Sequence, residues 1–253
     1  MEFQSILKSV SNGLNILHLF TNEKPTWGVT EMANALSLNK STVSRLVKEL
    51  VLEGFLEKNG SKYQLGISVL CLSGVVTSHL EIYREAKLTL HSLVNKVEET
   101  AHIAVLEDAS ITYLHKVECN QPVQLLSYIG KNNPATCTSS GKVLLAYQPD
   151  WVVTSVVKNG LPKCGPNSIT DQNQLMKDLE IIRQNGYSIC INELHDEVVS
   201  IAAPVRDYSG DVIAAVSIVG PSHRMNEPLF PYYVKEVVKA GKDISEKLGY
   251  IDL

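Results

Sequence analysis

Residues 39–65 read NKSTVSRLVKELVLEGFLEKNGSKYQL, an amphipathic run followed by a turn dipeptide, and few folds accommodate that order. Val43, Leu46, Val47 and Leu50 recur at i, i+3, i+4 and i+7, so a helix of about 3.6 residues per turn gathers them on one stripe that must be buried. On the opposite side stand Ser41, Ser44, Arg45 and Lys48, all hydrogen-bond donors and none acidic. Asn39 is expected to cap this helix and Gly54 to end it by turning left-handed. Beyond it, Asn59-Gly60 fits a type I′ hairpin with positive φ at both central residues, which makes a β-wing with a basic tip.

Upstream, Thr30 is a cap residue before the helix formers ending at Leu36, and only Ser37-Leu38 separate that segment from Asn39. Two helices so closely joined form a helix-turn-helix. Val10, Leu14, Leu17 and Phe20 supply a third helix for the small core. An amphipathic helix bearing Arg and Lys is, taken alone, usually a solvated surface helix. Three helices and then a wing, in this order, decide for a winged helix-turn-helix over residues 1–66.

Lys and Arg number 23 against 27 Asp and Glu, a net charge of −4, which excludes a polybasic protein that holds nucleic acid by bulk charge. DNA contact must therefore be local, through Lys40, Arg45, Lys48, Lys58 and Lys62, and a dimer reading a palindrome would double it. The first residues do not read as a leader, and no run of about 18 apolar residues reads as a membrane span, so a cytoplasmic protein without membrane association is expected. The 5 cysteines are scattered and never form a C-x-x-C pair, hence free thiols. His102 and His115, on adjacent predicted strands, are placed to approach each other, although no ligand pair has zinc-site spacing.

Residues 67–80 are apolar and read as a linker helix buried on two sides, suited to self-association. Residues 81–100 follow as an amphipathic helix with Ile82, Ala86, Leu90, Leu93, Val94 and Val97 on its stripe. The period then becomes that of strands at 101–106, 111–118 and 123–129. Helices are expected at 141–147, at 150–158, from a Thr170 cap through Asn185 to Gly186, and at 227–248. Strands are expected at 187–192, 198–206 and 211–219. This order predicts a second, α+β domain over 81–253, with helices at the ends of one mixed or antiparallel sheet.

Ser139-Ser140-Gly141-Lys142 resembles a phosphate loop, but Thr136 stands where Walker A needs glycine and Val143 where it needs Ser or Thr. What remains is an anion-favouring helix start or a simple cap. A metabolic enzyme fused to a helix-turn-helix would use Cys137 with His115 as base, or the cluster Glu193, His195, Asp196 and Glu197. No third orienting residue accompanies the first, and the second reads as an exposed loop.

The chain resembles the IclR-type bacterial transcriptional regulators along nearly its whole length. The matching stretches are Leu38-Asn39-Lys40-Ser41-Thr42-Val43-Ser44-Arg45-Leu46, Gly54-Phe55-Leu56, Gly141-Lys142-Val143-Leu144-Leu145-Ala146, Ile201-Ala202-Ala203-Pro204-Val205 and Ala214-Ala215-Val216-Ser217-Ile218. The resemblance implies a regulator, not an enzyme, that needs no cofactor. It further implies a winged helix domain, a linker helix that pairs subunits into a homodimer or homotetramer, and a GAF-like domain that binds a small-molecule effector, commonly an organic acid. Operator DNA would be met by Asn39, Lys40, Ser41, Thr42, Ser44, Arg45 and Lys48, with Lys58 and Lys62 on the wing. The effector would be met by Leu125, Thr138, Ser139, Ser140, Cys190, Val198, Ser200 and Ser217. Against the family pattern, Cys190 replaces a frequent acid, Glu197 a usual glycine, Ser200 a frequent cysteine and Val219 a frequent hydroxyl residue. Those departures imply an effector with more apolar surface.

Overall fold

The computed structural model describes residues 7–121 and 132–251. The expected strand at 123–129 and Leu125 lie outside them. The chain divides into two compact units, Met1–His79 and Leu80–Leu253.

In the first unit, α1 (Lys8–His18), α2 (Val29–Ala35) and α3 (Lys40–Leu52) precede the hairpin β1 (Leu56–Asn59) and β2 (Lys62–Leu65). Ile16, Met32, Ala33, Val43, Val47 and Leu56 form its core, with Leu17, Phe20, Leu46 and Leu50 packed around them. The stripe on α3 is thus buried as expected. That on α1 is met in part: Leu17 and Phe20 pack on the core with Ile16, whereas Val10 and Leu14 are more than half exposed. Gly28 rather than Thr30 precedes α2, and its N–H donates to Glu31 Oε2 at 2.8 Å. Asn39 is extended at the N-cap of α3, yet its side chain makes no capping hydrogen bond. Gly54 ends α3 with φ +74°.

The wing turn is Gly60-Ser61, because Asn59 pairs with Lys62 across the hairpin. Gly60 has positive φ and Asn59 and Ser61 do not, so the turn has the II′ pattern instead of the expected I′. Trp27 bridges to Tyr63 and extends the wing by one short pairing.

Helix α4 (Ile67–His79) starts where α3 and the wing converge. Ser68 donates through its N–H to Gly54 O at 3.2 Å and through Oγ to Glu53 O at 3.0 Å. Gly66 is tied to Phe55 O at 2.8 Å, and any Cβ there would lie 2.2 Å from Gly54 O. The expected two-sided burial of α4 is absent in the single chain: none of its residues is buried, and Ile67, Leu70, Leu72, Val75 and Val76 are exposed.

The second unit is built on a six-stranded sheet of order β5-β4-β3-β8-β7-β6, antiparallel throughout. Its elements run α5 (Glu81–Val97), β3 (Thr100–Glu107), β4 (Ser110–Val117), β5 (Asn132–Pro134), α6 (Ser139–Ala146), α7 (Asp150–Lys158), α8 (Gln172–Asn185), β6 (Ser188–Ile191), β7 (Val198–Arg206), β8 (Val212–Pro221) and α9 (Phe230–Lys247). The helices do not sit at the ends of the sheet, as expected, but cover both faces. Ile103, Ile201, Ala203, Val205, Val216 and Ile218 point to α5 and α9, and Ala104, Ala202 and Ala215 to the layer of α6, α7 and α8. Alternation along each strand sends successive side chains to opposite layers, which is why both faces had to be apolar. Asp171, not Thr170, caps α8, accepting from Gln174 N at 2.8 Å.

Candidate functional site

On α3, Asn39, Lys40, Ser41, Thr42, Arg45 and Lys48 are exposed and Ser44 is half-buried, while Val43 and Val47 beneath them are 0% and 1% exposed. The packing fixes which side of the helix faces out. Lys58 is exposed on the wing. Lys62 is already engaged, its ammonium 3.1 Å from Glu31 Oε1. The Gly28 N–H and Lys62 hold the Glu31 carboxyl below its usual range. Among the described residues no acid forms an ion pair with Lys40, Arg45, Lys48 or Lys58. A surface of uncompensated cations and hydroxyls on a helix next to a hairpin is suited to phosphates and base edges.

In the second unit the register collects the effector candidates. Cys190 pairs with Ser200 and Ser200 with Val219, while His102 pairs with Ser217 one row along. All face the start of α6. Thr138 caps that helix by accepting from Gly141 N at 3.1 Å, so α6 begins two residues earlier than its pattern suggested. Gly141 is required there: a Cβ would stand 2.2 Å from Ala135 O. Together these groups enclose a cavity of about 30 Å³. Thr138, Ser139, Ser140, Cys190, Val198, Ser200 and Ser217 all line it, joined by His102, Tyr113, Glu193, Leu194 and Val219.

Below the cavity floor, Lys142 is 1% exposed, with Nζ 2.7 Å from Glu193 Oε1 and 2.7 Å from Asp178 Oδ2. Burial opposes its charge, but the neighbouring Glu193 and Asp178 carboxylates outweigh burial and raise its pKa. Burial pushes the Cys190 thiol up, so it stays neutral. Burial, helped by Lys116, pulls His102 down to about 3, and burial lifts Tyr113 to about 12. One acceptor is left over: Glu193 Oε2 is buried without a hydrogen-bond donor among the described residues. A buried carboxylate oxygen without a partner is costly, and a ligand donor would satisfy it. Glu193 was expected on an exposed loop; it is 7% exposed because Lys142 draws it inward.

The alternative chemistry of Cys137 with His115 does not assemble. A register shift between Ile103 and Ala104 reverses the facing of β4, so His115 pairs with Ile103 and stacks on Tyr83 of α5, centroids 5.0 Å apart. His102 stacks instead on Tyr113 on the opposite face, so the two histidines do not meet. Cys137 is fully buried in the α6 layer, its Sγ donating to Pro162 O at 3.3 Å. No group of three or more metal-ligating side chains occurs among the described residues, and no described helix is long and apolar enough to cross a membrane.

A winged helix-turn-helix with an outward donor face, joined to a sheet domain that encloses a small cavity, defines the class of DNA-reading regulators. Known proteins agree. Residues 9–60 match the IclR helix-turn-helix domain and residues 74–246 the bacterial transcriptional regulator IclR C-terminal domain. The chain belongs to the IclR family of bacterial transcriptional regulators. It is 30% identical to the HTH-type transcriptional regulator KdgR of Escherichia coli (strain K12) over 96% of this chain and 95% of that one. To KipR, the HTH-type transcriptional regulator of Bacillus subtilis (strain 168), it is 29% identical over 96% and 98%. Among solved structures it resembles an IclR homolog complexed with 4-hydroxybenzoate from Microbacterium hydrocarbonoxydans, with TM-score 0.85 and 27% identity over 95% and 99% of the two chains. These relatives are named as regulators, not as enzymes.

Proposed function

We propose that this protein binds operator DNA as a homodimer or homotetramer and that a small organic acid in the second unit modulates its operator affinity. The observation that carries the reading is the partition of α3, with Val43 and Val47 in the core and Arg45, Ser41 and Lys48 outward. Arg45 donates to a guanine edge or phosphate in the major groove, Asn39, Lys40, Ser41, Thr42, Ser44 and Lys48 flank it, and Lys58 on the wing meets the backbone. Exposed apolar residues on α4 suit pairing between subunits.

The effector carries two groups. Its carboxylate takes the backbone N–H groups of Ser139 and Ser140 in the first turn of α6, where the helix dipole favours an anion. Its hydroxyl donates to Glu193 Oε2. At about 30 Å³ the cavity is smaller than any such acid, so binding requires the wall to open, and a compact hydroxy acid needs the least opening. The relative solved with 4-hydroxybenzoate, a molecule bearing both groups, supports this chemistry. Modulation follows from linkage: the acid shifts operator affinity by its differential affinity for two arrangements of the oligomer.

Electrophoretic mobility shifts on DNA flanking the protein's own gene, with lactate, 4-hydroxybenzoate and the matching acids lacking the hydroxyl, test the reading. A hydroxy acid should shift the operator midpoint and its deoxy analogue should not, with Glu193→Gln erasing the difference. Failure to bind any flanking DNA in a salt-dependent manner would sink it.

A further inference from the structure

A second, larger cleft of about 470 Å³ opens at the other end of α6. It is lined by Tyr147 at the C-cap of α6, Asn185 and Gly186 at the end of α8, Arg206 at the end of β7, and Val238, Lys242, Ser245, Glu246 and Tyr250 on and after α9. None of these residues belongs to the cavity at Ser139 and Glu193. Its volume lies in the range, about 300 to 1,000 Å³, usual for small-molecule sites.

Arg206 is the feature that needs explaining. A register shift between Val205 and Arg206 breaks the ladder there, and such bulges re-aim side chains. The residue is then fixed from several directions. Its N–H donates to Ser245 Oγ at 2.8 Å, its Nη1 donates to Gly210 O at 2.7 Å, and its guanidinium lies 4.8 Å from the ring centre of Tyr147 and 5.9 Å from that of Tyr250. No carboxylate pairs with it among the described residues, and Nε and Nη2 have no acceptor. A guanidinium held rigidly with its remaining N–H fork unmet is matched to a planar carboxylate, which takes two parallel hydrogen bonds. Tyr250 and Val238 offer apolar surface beside it.

We propose that this cleft is a second ligand site, taking a small monocarboxylate with an apolar ring or chain on Arg206. The carboxylate is held by Nε and Nη2, and the apolar body lies against Tyr250 and Val238. The site is separate from the proposed effector cavity and does not depend on it.

Calorimetric titration of the full chain with benzoate tests this. Binding should be saturable, at least about tenfold weaker in Arg206→Gln, and also weakened in Arg206→Lys, which keeps the charge but loses the fork. Ser217→Val, in the other cavity, should leave that binding event unchanged. Inorganic phosphate at matched ionic strength should not displace benzoate. Should Arg206→Gln disturb folding, Tyr250→Leu removes only the ring contact and must also weaken benzoate. The proposal is overturned by no saturable binding, by binding that survives Arg206→Gln, by binding that vanishes in Ser217→Val, or by phosphate competing as well as a carboxylate.

Discussion

Lys142 Nζ lies 2.7 Å from Glu193 Oε1 with the lysine 1% exposed, so a buried ion pair underlies the cavity at Ser139 and Ser140. Removing one partner strands the other. Lys142→Met is expected to destabilise the second unit by about 3 to 5 kcal/mol, because it leaves the Glu193 charge buried without a counter-ion. Urea unfolding of the variant against wild type measures this, and a loss under about 1 kcal/mol would mean that Glu193 reaches solvent.

Arg45→Ala should weaken a specific operator by about 1 to 3 kcal/mol and non-specific DNA less. Lys62 is paired with Glu31 and Lys58 is not, so the two wing lysines should differ. The slope of log affinity against log salt should drop by about 1 for Lys58→Ala and by less for Lys62→Ala. Fluorescence anisotropy across a salt series separates them.

Burial holds His102 neutral, its pKa about 3 against 6.5 for the free side chain. Between those values the unfolded chain binds the extra proton, so stability is fully present above pH 6.5 and falls as pH drops toward 3. The slope is at most about 1.4 kcal/mol per pH unit from this residue. His115, also lowered by burial, adds in the same direction. Denaturant midpoints at several pH values should fall with acidity, and His102→Asn should flatten the trend.

Glu197 has φ +57°, the left-handed region where an L side chain is strained. The family resemblance places a glycine here. Glu197→Gly should therefore stabilise the protein by up to about 1 kcal/mol, read as a rise in thermal midpoint. A fall would show that the carboxylate makes a contact outweighing the strain.

Periodicity located α3, α5, α7 and β7 almost to the residue, because each has a dense apolar stripe and a definite end. It failed where tertiary contacts override local pattern. Val10 and Leu14 carry the period of a buried face, yet the core chose Ile16. His102 and His115 lie on adjacent strands but on opposite faces, because one irregular residue in the β3–β4 ladder inverts the alternation, and nothing in the composition of 110–117 marks it. The effector candidates came from motif resemblance, and those among the described residues line one cavity. Glu193 could have been found by asking which acid answers a lysine in an otherwise apolar helix. Arg206 carried no signal, since its role arises from a bulge and from helices distant in sequence.

The hydrogen bonds from Ser68 to Glu53 and Gly54 join the end of one helix to the beginning of the next without slack. The negative end of the first dipole meets the positive end of the second, which reinforces the joint. A rotation of α4 would therefore be carried to α3 and Arg45, and in the proposed dimer on operator DNA it would set the spacing at which two recognition helices meet successive grooves.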